Sequence, residues 1–413
     1  MNTTDPTPTL WPRAIILVDM NCFFAGVEQH DCPEWRGRPV AVTNGAQGTC
    51  IITSSYEARA YGVKTGMRLN EARRLCPDLI QAPARPQRYA AVSTAIMQSL
   101  QIYSPDIEVF SVDEAFIDVT HCQRLLGTPQ HIAQRLKETV NTVSGLRCSV
   151  GVSGDKCTAK YAAKLNKPDG LVVIPPWEAK HRLRNVPVTE LSGIKEGIGG
   201  FLAQHGVFVC GDMEKIPISV LARRFGDLGR RIWLMCQGMD PLPVITTVPP
   251  PKSMGHGKVL PPNTRDGAVL TTYLQHMSEK IGARLRRHGL QARTFQVGLR
   301  TADGWIGAKV REAQPMDDGG LLAQRCRAVL AQHWHGQGIF QVQVTALDPQ
   351  PKNLQLDLFG TVPTQRTALN SVMDAVNQRY GEFTLAPANL LGRSAMPNVI
   401  APAWKPFGHR QTI

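Results

Sequence analysis

Apolar and polar positions alternate along this chain with two periods, and the periods predict its elements. Ala14-Ile15-Ile16-Leu17-Val18 is a short apolar run of buried-strand type that ends in a carboxylate, Asp19. Pro39–Val42 and Thr49–Thr53 predict two short strands around a Gly-rich loop, and Arg147–Val152 another. Helices are predicted from Met20–Glu28, through Tyr56–Arg59 with a break at Gly62, over Leu69–Leu75 before Pro77, and across 86–103, 129–143 and 155–165. This alternation, with a hairpin at 107–120, predicts an α+β domain of split βαβ type. From 171 to 240 the pattern turns helical and short-looped. Residues 241–251 hold five prolines and read as an extended linker. A strand at 252–260, a basic helix at 265–288, period-2 stretches at 294–300 and 305–310, a helix at 318–334 and a strand at 340–344 predict a compact βαββαβ domain. Beyond Asp348 the chain is Pro- and Gln-rich, then helical near 366–380, then irregular.

Chemistry concentrates in Phe110-Ser111-Val112-Asp113-Glu114-Ala115-Phe116-Ile117-Asp118. Neighbours on a regular strand point to opposite faces, so Asp113 and Glu114 serve one site only if the chain bends there, as at a tight hairpin tip. Two close carboxylates raise each other's pKa unless a cation sits between them. Hard oxygen ligands on a rigid hairpin suit Mg²⁺, which leaves its other positions to water and substrate phosphates. Asp19 supplies a third acid, and the three fit a two-metal phosphoryl-transfer site. The bland alternative is a solvated hairpin tip, and the strand-end Asp19 argues against it. Glu108 and Asp118 read as structural acids.

Charge narrows the partner. Lys and Arg number 46 against 33 acids, a net charge of +13, which favours nucleic acid over an acidic small molecule. A general single-strand-binding protein would explain the charge but not the acids. The ten cysteines are scattered singly, without a Cys-x-x-Cys pair or a His at zinc spacing, and read as reduced thiols. Met1–Leu10 is polar and Pro/Thr-rich, unlike a signal peptide, and no run approaches membrane-spanning length. The expectation is a cytoplasmic, nucleoid-associated protein with no membrane partner.

Four motifs then stand in a telling order: Val18-Asp19-Met20-Asn21-Cys22-Phe23-Phe24, Ser55-Tyr56-Glu57-Ala58-Arg59, Ser111-Val112-Asp113-Glu114-Ala115-Phe116, and Lys164-Leu165-Asn166-Lys167-Pro168-Asp169-Gly170. Across roughly residues 13–360 the chain resembles the Y-family translesion DNA polymerases, nearest their bacterial DNA polymerase IV and UmuC branches. Met373–Gly381 looks more like the UmuC branch, so the chain sits cleanly in neither. The resemblance implies an α+β right-hand polymerase. Its parts would be a disordered leader (1–12), a ferredoxin-like palm (13–24 and 78–170) and small fingers (25–77). A helical thumb (171–240), the linker, a βαββαβ little finger (252–349) and a tail (350–413) would follow.

By that resemblance Asp19, Asp113 and Glu114 ligate two Mg²⁺ ions, with the main-chain carbonyl of Met20 helping. Phe24 is the steric gate beneath the sugar, while Phe23 packs inward. Tyr56 and Arg59, three apart on one helix face, form a triphosphate clamp with Lys167. Gly66 lets the template base approach. Leu191–Ile198 sits at the family's helix-hairpin-helix, with Lys195 in place of a glycine and Ser192 in place of a proline. Gln355, Leu356, Leu358 and Phe359 match the sliding-clamp-binding pentapeptide. Mutagenesis accessory subunits are further candidate partners, beside primer-template DNA and deoxynucleoside triphosphates. The function implied is low-fidelity, template-directed DNA synthesis past damaged bases. A catalytically silent scaffold that binds DNA and clamp in a mutagenesis complex is the alternative. Loss of an acid would mark it, and all three acids are present.

Overall fold

The apolar run at the N-terminus becomes the middle strand of a sheet. The computed structural model describes residues 10–46, 48–352, 364–393, 400 and 403–411. It divides into two compact units, Met1–Val248 with Met396–Gln411, and Pro249–Ala395. The first unit begins β1 (Ile15–Met20), α1 (Phe23–Asp31), β2 (Val40–Thr43), β3 (Ile51–Ser54), α2 (Tyr56–Ala60), α3 (Leu69–Leu75), β4 (Ile80–Pro83) and α4 (Pro86–Ser99). It continues β5 (Ile107–Val109), β6 (Glu114–Asp118), α5 (Gln123–Leu126), α6 (Pro129–Ser144), β7 (Cys148–Ser153), α7 (Lys156–Leu165) and β8 (Leu171–Val173). Four helices follow: α8 (Pro176–Leu183), α9 (Glu196–Gln204), α10 (Ile218–Phe225) and α11 (Asp227–Met235).

The main sheet has the order β5-β6-β1-β7-β8. Strand β1 runs antiparallel to both neighbours, and β8 runs parallel to β7. Period-2 alternation gives β1 two buried faces. Ile16 and Val18 join the large core with Ile96, Ile132, Leu136 and Val150, whereas Ile15 and Leu17 pack with Phe116, Ala159 and Ala163. Asp19 shares the parity of Ile15 and Leu17, so it emerges on the α7 side. Helix α7 comes very close there, because Gly151 opposes Leu17 and a Cβ on it would fall 2.0 Å from the Ala159 carbonyl oxygen. The buried Asp155 caps α7, accepting from Thr158 N at 2.9 Å and from its hydroxyl at 2.7 Å. A separate sheet, β3-β2-β4, shares a small core with α2 and α3 through Ile51, Ala58, Leu69 and Ala72.

Two expectations need correcting, and a third gains a detail. The boundary drawn at residue 170 falls one strand short, because β8 completes the main sheet. The Pro-rich linker is extended but anchored at its start. Arg13 donates to the carbonyls of Asp240 (2.8 Å) and Leu242, and Ile245 N donates to Glu108 at 2.7 Å. Trp11, assigned to a disordered leader, exchanges hydrogen bonds with the Gln123 side chain at 2.8 and 2.9 Å.

The second unit runs β9 (Met254–Thr264), α12 (Gly267–Arg287), β10 (Leu290–Thr301), β11 (Gly304–Met316), α13 (Gly319–His333), β12 (Ile339–Ala346), β13 (Gln350–Pro351) and α14 (Thr364–Tyr380). Its sheet has the order β11-β10-β12-β9, with β13 on β10. Leu270, Leu274 and Ile281 of α12 meet Phe295, Val297, Val342 and Val344 in its core. The βαββαβ pattern is therefore observed. Helix α14 is fastened by paired hydrogen bonds from Arg286 to Asp374 and from Arg366 to Asp318. The last segment is not merely irregular, since Ile400 and Trp404 are buried in the large core of the first unit. No helix among the described residues is long and apolar enough to cross a membrane.

Candidate active site

Strand pairing brings the acids together. Asp19 stands directly opposite Glu114 on β6 and Ser149 on β7. Directly opposed residues of an antiparallel pair point to the same face, so both carboxylates emerge toward α7. Asp113 precedes β6, and its carbonyl accepts from Met20 N at 2.9 Å, which ties it to the end of β1. The bend that adjacent acids require lies at residues 110–113. It is closed by Phe110 N and Ser111 N donating to the Glu114 carbonyl at 2.9 and 3.1 Å. Ser93 Oγ anchors it from α4, donating to the Val112 carbonyl at 2.5 Å, and Ser111 Oγ donates to Asp113 Oδ1 at 2.6 Å.

The electrostatics are those of a crowded anionic site. Burial pushes Asp19 up to about 7; the Lys167 ammonium pulls it down, and Glu114 and Asp113 push it further up. Burial also raises Asp113, opposed by the Ser111 hydrogen bond and assisted by Glu114. Two ammonium groups answer the acids. Lys167 Nζ lies 2.5 Å from Asp19 Oδ1, and Lys160 Nζ lies 2.5 Å from Glu114 Oε1. Among the described residues no three Asp, Glu, His or Cys side chains are arranged to hold a metal ion as they stand, since the acids turn toward lysines and Ser111. Three hard carboxylates with one shared face are nonetheless the donor set a divalent cation takes.

The remaining residues frame this face. Phe23 is buried in the core, and Phe24, only partly buried, stacks on Tyr89 at 4.3 Å and 13°. Asn21 links the parts: its amide donates to Ser149 Oγ (3.0 Å) and Tyr56 OH (3.4 Å), and its oxygen accepts from Asp169 N (3.0 Å). The Arg59 guanidinium lies over the Tyr56 ring at 4.8 Å and donates to the Ser54 carbonyl at 3.0 Å. Gly66 has φ +85° and open space where a Cβ would project, so its turn demands a glycine and leaves that side clear. Lys195 caps α9 in an extended conformation, which needs no glycine.

Comparison with known proteins now bears on this geometry. Residues 18–164 match the impB/mucB/samB family, and residues 251–358 match that family's C-terminal domain. DNA polymerase IV of Moorella thermoacetica is 36% identical over 380 residues, spanning 89% of this chain and 94% of the relative. That of Desulfatibacillum aliphaticivorans is 31% identical over 394 residues, spanning 93% and 98%. A solved Y-family DNA polymerase chimera of Dbh and Dpo4 sequences shares the fold with a TM-score of 0.71 and 27% identity, over 82% of this chain and 100% of that one. The chain belongs to the Y family of translesion DNA polymerases. It is thus a DNA-directed DNA polymerase with an α+β right-hand fold.

Sequence reasoning missed two groups of this candidate site. Asn21 sat inside a quoted motif without a role, although a polar residue between Asp19 and two aromatics was a visible signal. Lys160 carried a fainter one, its four-residue spacing from Lys156 and Lys164 on one helix face. The expected clamp-binding peptide, Gln355, Leu356, Leu358 and Phe359, lies outside the described residues.

Proposed function

We propose that this polymerase inserts nucleotides at the face shared by Asp19, Asp113 and Glu114, which hold two Mg²⁺ ions with help from the Met20 carbonyl. The supporting observation is the register that sets Asp19 opposite Glu114, with Asp113 bonded to the same strand end. Bound divalent ions supply charge neutralisation for a triphosphate and acidify a primer hydroxyl. The protein's own residues do the placing. Arg59, already oriented by Tyr56 and the Ser54 carbonyl, offers a planar fork to phosphate oxygens, and Lys167 offers a point charge. Lys167 must leave Asp19 to reach them, so the phosphates take over the positive charge that Asp19 loses. Phe24, braced on Tyr89, acts as the steric gate under the sugar, and Gly66 gives the template base room.

The palm would comprise 13–24 and 78–173, the fingers 25–77, the thumb the helices from α8 to α11, and the little finger 252–349. A sliding clamp engages residues 355–359, and the enzyme works in the cytoplasm at the nucleoid. Glu114→Gln and Asp113→Asn should slow single-nucleotide insertion on a primer-template by roughly a thousand-fold or more, with DNA affinity kept within about two-fold. Near-normal insertion by either variant would move the site elsewhere.

A further inference from the structure

Lys160 reaches Glu114 from α7 in a tightly defined setting. Its Nζ lies 2.5 Å from Oε1 and 4.5 Å from the centroid of Phe110, whose ring meets Phe116 edge-on at 5.4 Å. The ammonium is therefore boxed between a carboxylate and an aromatic face. Both side chains are largely sheltered, 24% and 15% exposed. The other oxygen of Glu114, Oε2, is 3.4 Å from Ser111 Oγ, which itself donates to Asp113 Oδ1. One oxygen is thus fixed against α7 while its twin faces the acid cluster.

We propose that Lys160 is a positioning residue of the polymerase reaction, an inference that rests on the cation-binding reading of the three acids. It fixes Oε1 of Glu114, so that Oε2 alone is presented toward Asp113 and Asp19. Its positive charge also holds the cluster's affinity for divalent cations below what three unpaired carboxylates would give. Loss of the ammonium therefore has two effects of opposite sense. Glu114 can swing, and a displacement of about 1 Å in a reacting constellation costs on the order of a hundred-fold in rate. A competing positive charge is withdrawn, and divalent cations bind more tightly. A lysine that merely propped up the fold would produce neither effect, only a lower melting temperature.

The test uses the full-length chain. Mn²⁺ is titrated, with free ion read by electron paramagnetic resonance, into enzyme bound to a dideoxy-terminated primer-template and the next nucleotide. Single-turnover insertion is measured separately on an extendable primer with saturating Mg²⁺. For Lys160→Met the half-saturating Mn²⁺ should fall by about three-fold or more. Insertion should slow by roughly ten-fold or more, with nucleotide half-saturation within about two-fold of wild type. Lys160→Arg keeps the charge and should hold the wild-type Mn²⁺ titration while recovering most of the rate. Lys160→Gln repeats the neutral arm if the Met variant does not fold. An unchanged Mn²⁺ titration in the neutral variants, or an equal drop in Lys160→Arg, overturns the proposal. Glu114→Gln on the same preparations separates the two readings. If it inserts and binds Mn²⁺ like wild type, the cation-binding site itself is misassigned; if it is inactive while Lys160→Met behaves as wild type, only the role of Lys160 fails.

Discussion

Glu108→Gln should damage the fold far more than a conservative change on a strand usually does. Glu108 Oε2 lies 2.6 Å from Lys156 Nζ, and the two side chains are only 9% and 6% exposed. The same oxygen accepts from Ile245 N at 2.7 Å, and the ammonium lies 5.0 Å from the Phe116 ring. Burial lowers the pKa of the half-buried Lys405, opposed by Glu108 and assisted by Arg410 and Lys156, so this lysine also feels the pair. The amide keeps the volume of Glu108 but leaves two ammonium groups near each other without a counter-charge. Removing one partner of a buried pair costs about 3–5 kcal/mol. At about 2–4 °C per kcal/mol, the melting temperature of the first unit should fall by roughly 6–20 °C. Replacing both partners, Glu108→Leu with Lys156→Met, removes the more deeply buried of the two stranded charges and should return stability to within about 2 kcal/mol of wild type. Scanning calorimetry and urea midpoints on the three proteins decide it. A single variant that loses less than about 1 kcal/mol would make this an ordinary surface pair. A double variant as unstable as the single would show that lost packing, not buried charge, is the cause.

Phe24→Ala should raise ribonucleotide insertion relative to deoxynucleotide insertion by roughly ten-fold or more, since space opens beside a Tyr89 ring that its own hydrogen bond to Glu28 at 2.6 Å keeps in place; an unchanged ratio assigns the gate to another residue. Leu358→Ala with Phe359→Ala should abolish clamp-dependent long products and leave single insertions on naked primer-template unchanged, because apolar anchors dominate such short interfaces; a parallel loss of insertion would make the peptide part of the fold. In the second unit, burial first and then Arg284 and Lys280 depress His256 to about 3, and burial with Lys280, Arg393 and Lys258 depresses His276 to about 3. Both imidazoles stay neutral when folded and take up protons near pH 6.5 when unfolded, so their contribution is whole above pH 6.5 and declines as pH falls toward 3. By pH 5 each accounts for roughly 1–2 kcal/mol, and His256→Gln should flatten the urea midpoint between pH 7 and 5; an unaltered slope would refute the assignment.

Most of this fold was legible because its signals are local. The run before Asp19 could be read as a buried strand from composition alone, and Leu69–Leu75 ended where Pro77 required. The convergence of the acids was legible for a different reason: two adjacent carboxylates in an apolar stretch share a face only across a bend, and residues 110–113 make it. What stayed hidden depends on pairing between distant segments. The three residues of β8 carry too little pattern to separate them from the helical stretch that follows, and only the β7 ladder makes them a strand. Trp404 reads as a tail residue until the large core of the first unit surrounds it. Asp318 looks like a plain helix cap, yet it also accepts from Arg366 and Asn370 and so fastens α14. Glu108 was rightly a structural acid, but its partner lies 48 residues on, at the start of α7.

Helix α7 explains how such an acidic site can be built at all. Its lysines fall at 156, 160 and 164, with Lys167 just beyond its end, and the three like charges at that spacing would weaken an isolated helix by a few tenths of a kcal/mol per pair. The acids meeting above β1 and β6 would likewise repel one another. Each liability is cancelled by the other. Lys156 pairs with Glu108, Lys160 with Glu114, Lys164 with Glu190 and Lys167 with Asp19. Gly151 and the alanines of α7 bring helix and sheet close together, within reach of the lysine side chains. The buried pair at the base of the hairpin, far from water, holds the arrangement rigid. The Lys167–Asp19 pair is more exposed than this foundation, which suits the exchange of partners proposed for Lys167. One stripe of lysines thus runs from a buried foundation at Lys156 to more exposed pairs at Lys160, Lys164 and Lys167, and the candidate site is assembled along it.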